Sequence, residues 1–174
     1  PSMTLPFAIP VLETGRLTLR EPREGDLPAL TAFAASDRTR FIGGPRSALD
    51  AWHGFLRHIG HWAFRGYGWW TIEIRATGAV AGRCGVGFHH GYAEPELGWQ
   101  VFDGFEGQGI AFEAALAARR HAQTAQGLGP LMSMVHPDNT RSARLALRLG
   151  AVSEGAGEID GNPFDIWRHP GGAA

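Results

Sequence analysis

Hydrophobic and polar positions alternate differently along the chain, and the change of period sets the elements. Leu17 and Leu19 alternate with polar neighbours across Arg16 to Glu21, which predicts a half-buried strand. In Gly25-Asp26-Leu27-Pro28, Asp26 can cap a helix whose first turn accepts Pro28. Leu27, Leu30, Phe33 and Ala34 then form one stripe. Ser47-Ala48-Leu49-Asp50 resembles a capping box with Asp in the usual Glu place. It opens a run in which Trp52, Phe55, Leu56, Ile59, Trp62 and Ala63 share one helical face.

From Trp69 to Phe102 the period shortens. Strands are predicted at Trp69 to Ile74, Val80 to Phe88 and Leu97 to Phe102, with turns at Ala76-Thr77-Gly78 and His89 to Pro95. Three glycines weaken or bend the second of these. A helix is predicted from Gly107 to about Gln123, its small side chains Ala114, Ala117 and Ala118 suited to close packing on a sheet. Leu131 to Val135 reads as a strand, and Asn139 to Leu149 as a helix capped by Asp138 or Asn139 and stopped at Gly150. Val152-Ser153-Glu154 and Phe164-Asp165-Ile166-Trp167 read as late strands separated by Asp160-Gly161-Asn162-Pro163. The order is β-α-α-β-β-β-α-β-α-β-β, with neither internal repeat nor linker. One domain over residues 1–174 is expected, with flexible ends at 1–9 and 171–174.

Composition narrows the function classes. Apolar residues make up 44% of the chain, and 16 basic against 17 acidic residues leave a net charge near −1. Nothing in that balance calls for a nucleic acid or an anionic membrane as partner. The lone Cys84 cannot form an internal disulfide and reads as a buried strand residue. No apolar run approaches membrane-spanning length and no signal-peptide pattern opens the chain, so a cytoplasmic location is expected. His89-His90 has the wrong spacing for a metal pair on a strand, and no metal is expected.

The segment richest in chemistry is Glu96-Leu97-Gly98-Trp99-Gln100-Val101-Phe102, followed by Asp103-Gly104-Phe105 and Glu106-Gly107-Gln108-Gly109-Ile110-Ala111. A strand feeds a glycine turn that opens a helix, which aims unpaired backbone N–H groups and the positive dipole end at one point. A phosphate fits there. A Walker-type loop would need Gly-Lys-Ser/Thr where Gly109-Ile110-Ala111 stands, and a dinucleotide fingerprint would need glycine at Phe112. Coenzyme A is the third ligand that uses such a turn. A glycine loop that merely turns the chain is the fourth reading.

Five segments in register resemble the GNAT superfamily of acyl-CoA N-acyltransferases, in particular its Rim-type branch of ribosomal-protein N-terminal acetyltransferases. Leu12 to Arg20 is similar to that branch's first strand, and Glu96-Leu97-Gly98-Trp99 to its Glu-Ile-Gly-Tyr strand. Gly107 to Ala114 is similar to its pyrophosphate loop, Asn139-Thr140-Arg141-Ser142 to its Asn-x-x-Ser helix, and Trp167-Arg168-His169-Pro170 to its closing Tyr-Arg-His-Pro. The resemblance spans residues 12–170. It implies an α/β (α+β) fold, with a mixed, strongly twisted central sheet, helices on both faces, and central strands Leu97–Phe102 and Leu131–Val135 splayed to admit pantetheine.

It further implies acetyl-CoA as co-substrate, held by Gly107, Gln108, Gly109, Ile110 and Ala111 at the diphosphate. Backbone groups of Val101 and Phe102 would pair with pantetheine amides, and Asn139 and Ser142 would lie near the thiol. Transfer would go directly to a primary amine in a ternary complex, with Glu96 as base, Glu94 as its competitor, and Ser142 beside the leaving thiolate. The acceptor would be a small-molecule amine or a protein N-terminus, and a homodimer stays open. Three positions depart from the family pattern. Glu106 puts a carboxylate beside the loop, Ala151 replaces a Phe, and Ala146 stands where other branches carry a tyrosine acid. Of these, Ala146 and Glu106 motivate the alternative of a silent acyl-CoA-binding or regulatory module. Phe41, Trp69 and Trp70 are either core or wall of the acceptor site.

Overall fold

The structure is a computed structural model and describes residues 5–172. Its strands are β1 (Leu12–Glu13), β2 (Leu17–Arg20), β3 (Trp69–Ile74), β4 (Val80–Gly87), β5 (Glu96–Val101), β6 (Met132–Val135), β7 (Val152–Ile159) and β8 (Asn162–Arg168). Its helices are α1 (Leu27–Ala34), α2 (Ala48–Arg65), α3 (Ile110–Ala125) and α4 (Thr140–Arg148). They build one sheet in the order β1-β2-β3-β4-β5-β6-β8-β7. Every pairing is antiparallel except β5 with β6, the two strands joined through α3. A parallel pair needs such a crossover. This is the mixed sheet with helices on both faces that the sequence leads one to expect.

Alternation along the strands sends two sets of side chains to opposite faces. Leu17, Leu19, Trp70, Ile72, Cys84, Val86 and Leu97 pack with Ile110, Ala114, Ala118 and Ala122 of α3. The alanines let that helix lie close to the sheet, as their spacing predicts. On the other face Leu30 and Phe33 of α1 meet Phe55 of α2 and Phe102. In α2 the Ser47 hydroxyl accepts from the Asp50 N–H at 3.1 Å and the Asp50 carboxylate accepts from the Ser47 N–H, the reciprocal box the sequence shows. Among the described residues no helix is long and apolar enough to cross a membrane.

Differences from the sequence reading lie mostly at element ends. The two-residue β1 and the 3-10 turn Asp37–Ile42 carry too few residues for a period to show. The late strands are longer than expected and form a hairpin turning at Asp160-Gly161, both at positive φ. Pro163 is tolerated inside β8 because β6 pairs with β8 only over Asp165 to Arg168. Helix α3 starts at Ile110, because Gly107 (φ +73°) and Gly109 (φ +77°) hold a conformation no right-handed helix uses. The expected flexible ends fall partly on residues 1–4 and 173–174, outside the described residues. Within 5–9, Ile9 is buried and Leu5 and Phe7 pack on the main core, so that stretch is not a loose end. Its apolar side chains gain from being covered.

The feature that positions the site is the relation of β5 to β6. Their ladder contains one pairing, Glu96 with Met132, after which the strands part. Ser133 spans the junction. Its hydroxyl donates to the Leu97 carbonyl at 2.5 Å and lies 2.8 Å from His169 Nε2. Arg119 in turn stands 3.3 Å from His169 Nδ1 and donates to the Leu149 carbonyl at 2.5 Å. The closing Arg168-His169 therefore helps to fix where the strands separate, and burial pushes the His169 imidazole down to about 4, so that it stays neutral there.

Candidate active site

The glycine turn leads from β5 into α3 as the sequence implies. Gly107 and Gln108 are exposed, Gly109 is the helix N-cap, and no side chain caps the first turn, so the N–H groups ahead of Glu113, whose own N–H pairs with the Gly109 carbonyl, have no side-chain acceptor. Gln108 folds back to donate to the Gly104 carbonyl at 3.1 Å, and its own carbonyl accepts from Arg16 at 2.9 Å. Arg16 also pairs with Glu113 in the first turn of α3. Sequence reasoning had no access to Arg16, because it lies 92 residues from its partner in the turn.

Beyond Glu96 the β6-side edge of β5 has no strand partner. Leu97 directs its carbonyl across to β6, and by alternation Trp99 and Val101 direct their main-chain groups to the same side. Phe102 does not. Its N–H donates to the Ala81 carbonyl at 2.8 Å and its carbonyl accepts from Phe105, so the expectation of Phe102 as a backbone contact in the gap is corrected. Adjacent residues of a strand turn to opposite neighbours, and Trp99 is the residue that alternates with Val101. The Val101 carbonyl meanwhile accepts from the Arg38 guanidinium at 2.8 Å.

Arg38 also resolves the awkward Glu106. Its other amino group donates to the Glu106 carboxylate at 2.9 Å, pairing that charge with a cation. The carboxyl is held below the usual range, first by backbone N–H donation and also by the Arg38 charge. Arg38→Ala would leave the Glu106 charge unpaired beside the turn. It is expected to raise the Kd for acetyl-CoA about tenfold, a typical loss for a partly buried charge-assisted pair. Adding Glu106→Gln to that variant should recover most of the loss. Isothermal titration of the double-mutant cycle measures the coupling, and simple additivity would argue against it.

Glu96 stands at the vertex of the splay. Its carboxylate accepts from the Met134 N–H at 3.1 Å, and the Tyr92 hydroxyl faces it from the preceding loop. Burial pushes the carboxyl up to about 7 despite both of these donors, and Tyr92 itself is raised to about 12, chiefly by burial. Glu94, the competing carboxylate, is ion-paired with Arg168, which also holds Glu154. Glu94 is thus engaged by a guanidinium, whereas the Glu96 carboxylate has no cationic partner among the described residues.

Asn139 caps α4 by accepting from the Ser142 N–H at 3.2 Å, which leaves its amide NH2 free. The Ser142 hydroxyl accepts from the Trp99 indole at 3.3 Å, so its proton can be given elsewhere. Ser142 and Trp99 thus bring β5 and α4 together beside the gap. Ala146 is buried, and Trp70 is core. Trp69 lies on the opposite face, against Gly98, where any Cβ would strike its ring. Phe41 packs against His136 with centroids 5.0 Å apart and the rings tilted by 31°. His89 is wedged between His61 and Tyr92, and among the described residues no three metal-ligating side chains converge.

Residues 16–152 match the family model described as the acetyltransferase (GNAT) domain. The chain belongs to the GNAT acetyltransferases. The acetyltransferase from Agrobacterium tumefaciens strain C58 is 37% identical and superposes with a TM-score of 0.87, covering 97% of this chain and 98% of that one. An uncharacterized N-acetyltransferase of Bacillus subtilis strain 168 (YoaA) is 29% identical over 169 residues, which is 90% of this chain and 93% of that protein. The ribosomal protein uS5 alanine N-acetyltransferase of Escherichia coli K12, a Rim-type relative, is 39% identical over 59 residues, 34% of this chain and 30% of that protein. This GNAT chain is accordingly an N-acetyltransferase of the mixed α/β fold.

Proposed function

We propose that this GNAT domain transfers an acetyl group from acetyl-CoA directly to a primary amine, with Glu96 as the proton acceptor. The supporting observation is the placement of one carboxylate, with its pKa raised to about 7, at the point where β5 and β6 part. Gly107 through Ala111 would hold the diphosphate through main-chain N–H groups, and Trp99 and Val101 would pair with the pantetheine amides. The amine nitrogen attacks the thioester carbon, and Glu96 takes its proton directly or through water. The C–S bond then breaks and the thiolate leaves. Ser142 can donate its hydroxyl proton in a hydrogen bond to that sulfur, and Asn139 has a free amide to offer the pantetheine. No covalent enzyme intermediate is needed, since holding both reactants in one complex supplies much of the rate.

The acceptor class is a small-molecule amine or a protein N-terminus. Free thiol measured against acetyl-CoA with a panel of amines tests the reading. Release is expected only when both substrates are present, with linear initial rates and no burst. A burst of thiol in the absence of amine would instead mean a covalent acyl-enzyme and would exclude direct transfer.

A further inference from the structure

Glu96, Gly98, Gln100 and Phe102 send their side-chain positions to the sheet face that carries α1 and α2. Arg83 of β4 lies opposite Gln100 in the register and occupies the same face. Its Nε donates to Gln100 Oε1 at 2.5 Å, and its guanidinium carbon sits 5.9 Å from the Trp69 ring centroid. It lines a cavity walled by Phe55, His58, Trp69 and Phe102. The charges acting on it are the like charges of Arg57 and Arg46, and no carboxylate of the described residues pairs with it. The nearest acidic wall of the cavity, Asp26, is already taken. It accepts two bonds from Arg20, one from Thr71 and one from the Arg23 N–H. Arg83 is therefore a half-buried guanidinium without a counter-charge, an arrangement that an arriving anion would stabilise. Its surroundings lower its affinity for a proton to about 9, which expresses the same deficit.

We propose that Arg83 binds an anionic group of the acceptor, so that the acceptor is a primary amine carrying a carboxylate or phosphate well separated from its nitrogen. The inference rests on Glu96 receiving the amine proton. Four residues of strand separate Glu96 from Gln100, about 13 Å along β5, and the side chain of Arg83 reaches back over Trp69 to shorten that span. A free α-amino acid is too short to touch both ends. The N-terminus of a short acidic peptide, or an extended amine of similar length, fits.

The test uses the purified chain, acetyl-CoA and acceptors of matched length: 8-aminooctanoate, 8-aminooctyl phosphate, the uncharged 8-aminooctanamide, and glycine. The kcat/KM ratio of the better anion to the amide should be about tenfold or more in the wild type, and glycine should be the poorest. In Arg83→Met that ratio should fall to near one, while in Arg83→Lys it should stay above it. Which anion is preferred tells a carboxylate from a phosphate. If the amide is acetylated as fast as both anions, or if Arg83→Met lowers all rates in proportion, the transferase stands and the role given to Arg83 falls. If no acceptor releases thiol, both fall together. The wild-type ratio needs no variant and decides the matter even if Arg83→Met does not fold.

Discussion

Replacing Glu96 by Gln is expected to lower kcat/KM for every amine acceptor by about 10²–10⁴-fold, the usual contribution of a positioned base, while making the protein more stable in mild alkali. Both effects follow from the same carboxyl. Burial at the vertex of β5 and β6 raises it from 4.5 to about 7, against the donation from Met134 and Tyr92. A base must be ionised to act, so wild-type kcat/KM should climb with pH and level off above an apparent pKa near 7. Removal of the carboxylate should erase that limb. The folded state holds this proton more tightly than the unfolded chain does. The resulting stability is present in full below about pH 4.5 and is lost as pH rises through 7. A shift of that size corresponds to roughly 3 kcal/mol at most. The Gln variant escapes the loss, so its melting temperature should exceed that of wild type at pH 8 and match it near pH 4. Tyr92→Phe should move the acid limb further up, since the phenol favours the ionised carboxylate. If the limb near 7 persists in Glu96→Gln, some other group is the base.

How much of this was legible in the sequence depends on how local each feature is. Helix α2 was readable because its cap, Ser47 with Asp50, and its apolar stripe are all short-range patterns. The glycine turn before α3 was readable because Gly107 and Gly109 occupy φ near +75°, where other residues are strained, so the need for glycine leaves a mark in the chain. The direction of a strand's hydrogen bonds leaves none. Phe102 and Trp99 could be told apart only once β4 was known to lie on one side of β5 and the gap on the other. Arg38, 68 residues from Glu106, was likewise invisible, and with it the ion pair that accommodates an acidic residue next to the proposed anion site. Arg83 was hidden for a related reason. Its lack of a partner is a property of the folded neighbourhood, where Asp26 is saturated by Arg20, and no spacing in the chain expresses an absence. The Trp-Arg-His-Pro ending shows a third case. The motif was legible as a resemblance, but its work of holding Ser133 and Glu94 required the sheet order to place β8 next to β6.

Gly107→Asp is expected to weaken acetyl-CoA binding by at least 10²-fold, and the comparison with Gly107→Ala separates charge from backbone strain. A Cβ at this position meets no atom within 4 Å, so alanine collides with nothing in the protein. Its cost comes from φ +73°, about 1 kcal/mol for an L-residue in the left-handed region, and should appear mainly as a small drop in melting temperature. Aspartate carries the same strain and adds a negative charge where the turn is proposed to receive a diphosphate. Like charges 4 Å apart at an effective dielectric of 20 repel by about 4 kcal/mol, enough for the stated loss even after partial screening. Calorimetric titration of the two variants reads the difference. Equal affinities would mean that the diphosphate lies elsewhere, because a main-chain anion site at this helix start cannot be indifferent to a carboxylate placed inside it. The acetyl end would then lose its anchor as well, since the diphosphate holds the end of the pantetheine arm remote from the thiol. Gly107→Asp should therefore raise KM for acetyl-CoA far more than it lowers kcat, in contrast to Glu96→Gln, where the loss falls on kcat.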